Sequence, residues 1–415
     1  MGIEQYIILI LAAIIGFYMA WNIGANDVAN AMGTCVGSGS LTLKRAIIIA
    51  GTFEFLGAVF VGAHVTSTIK GGIIPPESFS DNPYILMWGM FAALLASGIF
   101  LQLATYYGLP VSTTHSIIGA VTGFGIVSVG FYNINWDTIG MIALSWVVSP
   151  VAGAIVAFIM FFTIKRKILF SSNPMKQIKK TAPFLIFLIF FILIHSLLYK
   201  GLKNLNLNLD FNNASLLAAG IGMIAAGICF LLVKKMHLKQ NEDPIDFVER
   251  VFGNLLIITG CYITFAHGAN DVANAIGPLA AIYSIVMNKA IVTQSVSVPI
   301  WILILGGAGI VVGLATWGYR VMETMGKKIT ELTPTRGFSA TFGAATTVLI
   351  CSKMGMPVST THVIVGSIIG VALARGVAAL NVNIIKDIFA SWIFTIPFTA
   401  ILTMIIYKVI EYTII

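Results

Sequence analysis

Apolar and polar positions alternate along this chain on the scale of whole membrane spans. Twelve apolar stretches stand out, at 5–41, 46–69, 84–107, 110–130, 138–164, 181–200, 214–233, 251–282, 290–319, 337–353, 357–377 and 385–410. A helix of about 20 apolar residues crosses a hydrocarbon core, so the pattern predicts an all-α polytopic membrane protein with about 12 transmembrane segments. Several stretches are too long, or too rich in glycine, to be single straight helices. Residues 1–23 lack a basic start and run directly into a polar segment, so the first span is expected to be retained rather than removed as a leader.

That polar segment, Gly24-Ala25-Asn26-Asp27-Val28-Ala29-Asn30-Ala31-Met32-Gly33, returns with one change as Gly268-Ala269-Asn270-Asp271-Val272-Ala273-Asn274-Ala275-Ile276-Gly277. A second pair follows each copy, Pro110-Val111-Ser112-Thr113-Thr114-His115 and Pro357-Val358-Ser359-Thr360-Thr361-His362, with glycines at matching places, Gly119 and Gly123 against Gly366 and Gly370. Both halves end on a Ser-Trp segment with a proline, Ser145-Trp146 to Pro150 and Ser391-Trp392 to Pro397. The chain therefore reads as a first repeat of five spans (1–164), a joint of two spans with a short cytoplasmic amphipathic segment (165–250), and a second repeat of five spans (251–415). Seven spans precede the second repeat, an odd number, so the copies are expected to enter the membrane from opposite sides. Broken helices of inverted repeats are where secondary transporters bind substrate, near mid-membrane. The architecture expected is a site domain moving against a scaffold.

Composition agrees: 58% of residues are hydrophobic, 10% are charged, and the mean hydropathy is +0.95. The net charge of +8 sits in loops, which points to orientation rather than to nucleic acid. Alternating the loops puts 18 Lys and Arg on one face and six on the other (Lys70, Lys200, Lys203, Lys289, Lys353 and Lys408). The positive-inside rule makes the first face cytoplasmic and both termini extracytoplasmic. The linker from Lys165 to Lys180 carries six bases and no acid; it reads as a topology anchor at the headgroups, with a specific lipid site as the sharper alternative. Asp243-Pro244 reads as a helix start, Asp capping and Pro in the first turn, giving a short interfacial helix. The four isolated cysteines read as small apolar fillers, and Gly306-Gly307-Ala308-Gly309 as close helix packing.

Of the sixteen carboxylates, only Asp27, Glu54 and Asp271 fall well inside apolar stretches, and no Lys or Arg does. A buried carboxylate without a basic partner must be protonated or meet a cation from elsewhere. Asn26, Asn30, Asn270 and Asn274 supply the oxygen donors that suit a hard alkali cation, whereas no histidine or thiol cluster for a transition metal is apparent. Asp27 and Asp271, with these four asparagines, are thus the expected sodium ligands, a proton being the alternative coupling ion. The Pro-Val-Ser-Thr-Thr-His pair places Ser112, Thr113, Thr114, Ser359, Thr360 and Thr361 on first helical turns, where free amides and the helix dipole favour an anion. Six hydroxyls and two positive helix ends fit a tetrahedral oxyanion. Glu54 reads either as a coupling group or as a protonated structural acid. Gln102 is either an anion ligand or a helix-helix hydrogen-bond partner. His115 and His362 either donate to neighbouring carbonyls or relay protons. An intramembrane hydrolase drawn from Ser112, His115 and Asp27 is disfavoured, because catalytic triads are not normally duplicated in inverted form.

With both motifs in view, the chain closely resembles the PiT-type inorganic phosphate transporter family, through residues 20–164 and 264–410. The resemblance implies symport of inorganic phosphate with sodium, or with protons in many bacterial members, and no enzymatic activity. It implies that Asp27 and Asp271 are needed for transport, that Glu54 matters, and that Gln102 stands where the family tends to carry glutamine. The second half departs from the pattern, with Thr341 where some relatives have a glutamate, and the joint is short, as in a compact prokaryotic member. The expected function is phosphate import across the cell membrane by sodium symport with alternating access. Proton-coupled phosphate or sulfate symport is the runner-up; an anion channel or the hydrolase would be a different class. Inorganic phosphate and the lipid bilayer are the expected partners, with no nucleic acid, and a homo-oligomer is left open.

Overall fold

The computed structural model describes residues 2–62, 73–198, 209–287, 298–324, 331–353, 358–376 and 381–414. Pro357, the lysines at 70, 200, 203 and 289, and the side chains of Asn30 and Lys353 lie outside the described set. Among the described residues all the regular secondary structure is helical. In chain order come α1 (Ile3–Ile23), a π-helical segment (Gly24–Val28), α2 (Ala29–Gly37), α3 (Leu43–Val61), α4 (Pro83–Tyr106), α5 (Thr113–Ser128), α6 (Trp136–Ile164), α7 (Pro174–Leu198) and α8 (Phe211–Lys235). The second half continues with α9 (Pro244–Asp271), α10 (Ala273–Met287), α11 (Ile300–Trp317), α12 (Pro334–Lys353), α13 (Thr360–Arg375) and α14 (Val382–Ile414).

Each of the twelve apolar stretches contains a helix. Eight helices or helix pairs among the described residues are long and apolar enough to cross a membrane. The four others differ for physical reasons: α3 carries Lys44 and Arg45 in its first turn and Glu54 inside, α12 is rich in serine and threonine, and α5 and α13 have only 16 residues each. Sixteen residues rise about 24 Å, less than the ~30 Å of a hydrocarbon core, so each of these helices starts inside the bundle, at buried Ser112 and Ser359. The expected interfacial helix after Asp243 is not separate. Pro244 opens α9, which continues without a break to Asp271, because nothing after Pro244 interrupts the helical pattern. The preceding loop is held by Arg250, whose guanidinium donates to both oxygens of Glu242 at 2.8 and 2.7 Å and keeps that carboxyl below the ordinary range.

Packing is reciprocal between the halves. Helix α1 lies on α11 and α9 on α3, and likewise α5 lies on α14 and α13 on α6. Glycines permit these approaches. A Cβ at Gly24 would stand 1.8 Å from Ile310 O, and one at Gly268 2.3 Å from Glu54 O. The matched glycines of the short helices do the same work: Gly119 and Gly123 face Ile396 O and Ala400 O, while Gly366 and Gly370 face Pro150 O and Ala154 O. The Gly306-to-Gly309 run packs as expected, Gly309 against Ala20 and Gly307 against Phe55. Helices α7 and α8 stand apart, packed on each other and, through α7, on α9.

Candidate functional site

Both copies of the Asn-Asp segment interrupt their helices. Between α1 and α2 the chain widens into the π-helical turn Gly24–Val28, a distortion that recurs at functional sites, and between α9 and α10 the ladder breaks at Val272. Both breaks turn an aspartate into the interior next to the first turns of α5 and α13. Asp27, Glu54 and Asp271 are 2%, 0% and 1% exposed.

The two motifs converge, and they interlock. Thr113 Oγ1 donates to Asp27 Oδ2 at 2.7 Å, and Thr361 Oγ1 donates to Asp27 Oδ1 from the opposite half. Thr360 Oγ1 donates to Asp271 Oδ2 at 2.9 Å. Asn274 Nδ2 lies 3.1 Å from Thr113 Oγ1 and 3.3 Å from Thr114 Oγ1, while Asn270 Nδ2 donates to Asp271 Oδ1 at 3.1 Å. The expected separation into a cation set and an anion set is therefore not how the groups sit: threonines and aspartates form one network. Ser112 and Ser359 have a distinct position in it. Each accepts from the backbone N–H three residues on, His115 and His362, at 3.2 Å, and so acts as an N-cap.

Sequence reasoning missed one residue. His267 places Nδ1 at 3.0 Å from Glu54 Oε2 and Nε2 at 2.8 Å from Asp271 Oδ2, with Asp27 Oδ2 at 3.7 Å. The expectation that no basic side chain reaches the buried carboxylates is thus overturned: an imidazole sits among all three. So is the absence of a clustered histidine, since Asp27, His267 and Asp271 bring one ligand atom each within 4.8 Å of one another. Nδ1 is in hydrogen-bond contact with Glu54, whereas Nε2 approaches Asp271 at ion-pair distance without hydrogen-bond alignment. The signal was the i,i+4 spacing of His267 and Asp271 on one helix face. The repeat concealed it, because Ile23 occupies the matching place in the first copy.

Other expected residues sit at the margin. The amide of Asn26 is fully occupied, donating to Thr105 Oγ1 and Leu109 O at 3.0 Å and accepting from Val111 N at 3.1 Å; it braces the strand-like entry to α5. Gln102 accepts from the Tyr18 hydroxyl and so joins α4 to α1. His115 and His362 lie ring to ring, centroids 4.3 Å apart, capped by Trp146 at 3.8 Å and Trp392 at 3.5 Å. Among the described residues the ring nitrogens of His115 find no hydrogen-bond partner, and the Ser112–His115–Asp27 triad is not assembled there. Thr341, where a second acid was absent, bonds Thr34 hydroxyl to hydroxyl at 2.8 Å.

Comparison with known proteins bears on this site. The model of the phosphate transporter family matches residues 23–403. A Pyrococcus horikoshii protein named "putative phosphate permease" is 50% identical over 97% of this chain and 97% of its own. The chloroplastic inorganic phosphate transporter 2-1 of Arabidopsis thaliana is 42% identical over 94% of this chain and 70% of its own. A solved structure of a sodium-dependent phosphate transporter superposes with a TM-score of 0.91 at 43% identity, covering 98% of this chain and all of that one. With the duplicated motifs meeting in one buried network inside a bundle of apolar helices, the chain belongs to the phosphate transporter family: it is a membrane transport protein, not an enzyme.

Proposed function

We propose that this protein imports inorganic phosphate across the cell membrane by sodium symport, with alternating access between two inverted repeats. The observation that carries the reading is the buried set of three carboxylates around one imidazole. Even a fully protonated ring would leave negative charge uncompensated among three ionised carboxylates in a low dielectric, which is expensive unless ions arrive from outside. Glu54 Oε1 is buried and finds no hydrogen-bond partner among the described residues, so it is an open oxygen ligand. Together with Asp27 and Asp271 it gives the hard oxygen set that a sodium ion favours over softer metals. Asn270 and Asn274 complete this set, and Asn30 is assigned to it by sequence. Asn26 acts as the brace described above.

Phosphate would take the first turns of α5 and α13. Thr113, Thr360 and Thr361 then exchange their aspartate acceptors for phosphate oxygens and Thr114 adds a fourth hydroxyl, while Ser112 and Ser359 keep the two helix ends in shape and the dipoles favour the anion. Sodium at the aspartates replaces the hydrogen bonds the threonines withdraw, so neither ion is well held without the other. That is a physical basis for coupling. Gln102 acts indirectly, through Tyr18, and the His115–His362 contact forms the seam that parts as the site domain rocks. The likeness to a solved sodium-dependent phosphate transporter favours sodium over protons.

Radiolabelled phosphate uptake into proteoliposomes, under an imposed sodium or proton gradient and with sulfate as competitor, tests this. An inward sodium gradient is expected to drive accumulation that sulfate does not suppress. Uptake that ignores both gradients and follows only the phosphate gradient would instead identify a channel. Accumulation driven by protons alone, or suppressed by sulfate, would assign the runner-up symport.

A further inference from the structure

Helices α7 and α8 lean away from the bundle and leave a groove against α9. Its volume is about 480 Å³, and its wall includes Ile186 and Phe190 of α7, Ile224, Ile228 and Leu232 of α8, and Leu255 of α9. The one amide in the lining is Asn254. Along α8 the groove runs from Ile221 to Met236, about 22 Å at the helical rise, which exceeds the ~15 Å half-thickness of a hydrocarbon core. A slot of this depth and lining suits an alkyl chain, and its volume lies in the range of ligand cavities.

The shallow end of the groove is basic. There the start of α7 meets the end of α8: Lys179 Nζ donates to Met236 O at 2.7 Å and to Lys234 O at 3.4 Å. Lys176 and Lys180 flank Lys179, and Lys234 and Lys235 end α8; these four are exposed. Among the described residues no carboxylate comes within ion-pair distance of any of the four. Around the α8–α9 loop, Glu242 is engaged by Arg250 and Glu249 by Thr335, which donates to it through N and Oγ1 at 2.8 Å, while the exposed Asp243 and Asp246 pair with none of the four among the described residues. An unpaired cluster of ammonium groups above an apolar slot is complementary to one molecule abundant in a bilayer, a lipid with an anionic head.

We propose that the groove between α7, α8 and α9 is a specific site for an anionic phospholipid, with an acyl chain along α8 and the phosphate headgroup held by Lys180, Lys234 and Lys235. The bound lipid fills the gap beside α9, the helix that carries His267 and Asp271, and so ties the peripheral pair to the bundle.

Native mass spectrometry of the detergent-purified protein, titrated with phosphatidylglycerol or phosphatidylcholine of identical acyl chains, tests this. One phosphatidylglycerol is expected to be retained at more than about tenfold lower concentration than phosphatidylcholine, each lysine contributing about fivefold. K234Q/K235Q, on exposed positions, is expected to reduce that preference to about the fivefold share of Lys180. Ala225→Trp, which fills the groove, is expected to lose the retained lipid of either head. Equal retention of the two lipids by the wild type, or an undiminished preference in K234Q/K235Q, overturns the proposal. A dimer that dissociates in Ala225→Trp while lipid retention stays unchanged also overturns it and assigns the groove to a second copy of this chain.

Discussion

At the scale of residues, the site is a balance of charges that polar neighbours distribute. Asp27 accepts from threonine hydroxyls of both halves, Asp271 accepts from the Thr360 hydroxyl and from the side-chain amides of Asn270 and Asn274, and His267 lies between the two aspartates and Glu54. Asp27→Asn and Asp271→Asn are each expected to abolish sodium-driven uptake in proteoliposomes with the melting temperature in detergent little changed, since an amide still accepts from the threonines. Normal transport by either variant would remove that aspartate from the cation site. His267→Gln is a different kind of lesion. Removing one member of a buried charged group costs about 3–5 kcal/mol, so the variant is expected to melt well below the wild type. Glu54→Gln in the same chain is expected to recover part of the loss, and a double-mutant cycle reads the coupling directly. Purely additive effects would mean that the two side chains do not compensate each other. The aspartates and threonines were legible in the sequence because they occur twice. His267 was not, because its counterpart is Ile23, and a search guided by repetition passes over a residue present in one copy. Nor does a sequence tell whether a threonine serves an anion or an aspartate, since both acceptors take the same proton.

Elements explain why the site is where it is. The π-helical turn at Gly24–Val28 and the break at Val272 turn the aspartates inward, and the two short helices begin beside them at Ser112 and Ser359. Their depth depends on glycine contacts. A Cβ at Gly123 would stand 2.3 Å from Ala400 O and one at Gly370 2.1 Å from Ala154 O. Gly123→Ala and Gly370→Ala must therefore push a helix off its partner, and overpacking of this kind costs about 1–3 kcal/mol. Gly220, inside α8, meets nothing within 4 Å, so Gly220→Ala is expected to be neutral or stabilising by up to about 1 kcal/mol. Thermal melts of the three variants check the contrast, and equal behaviour would show that the close approaches are not limiting. Helix positions were legible from hydropathy alone, every apolar stretch holding a helix. Partners were not: that α5 lies on α14 as well as on its neighbour α4 depends on which glycine faces which carbonyl. The start at Pro244 was legible, but its continuation to Asp271 was hidden by the charged first turns.

For the whole molecule, orientation remains an inference from charge. The 18-to-6 division of Lys and Arg predicts both termini outside the cell. With Cys229 and Cys261 replaced by alanine, a cysteine at position 2 or 413 is expected to react with a membrane-impermeant maleimide on intact cells, and one at position 239 only after permeabilisation. The reverse pattern would invert the topology and with it the direction assigned to transport. Reciprocal packing of the halves also bears on how the chain is made. Helix α5 is complete at Ser128, but α14, the helix that covers its glycine face, begins at Val382. At about 5–20 residues per second, the roughly 250 residues between them take about ten to fifty seconds to synthesise. Throughout that interval the nascent first half sits in the bilayer with Gly119 and Gly123 uncovered, and Asp27 lacks His267 and Asp271 for more than half of it and Thr361 for nearly all of it. The early intermediate is thus an open half-shell, and truncation anywhere before α14 would leave the glycine face of α5 uncovered.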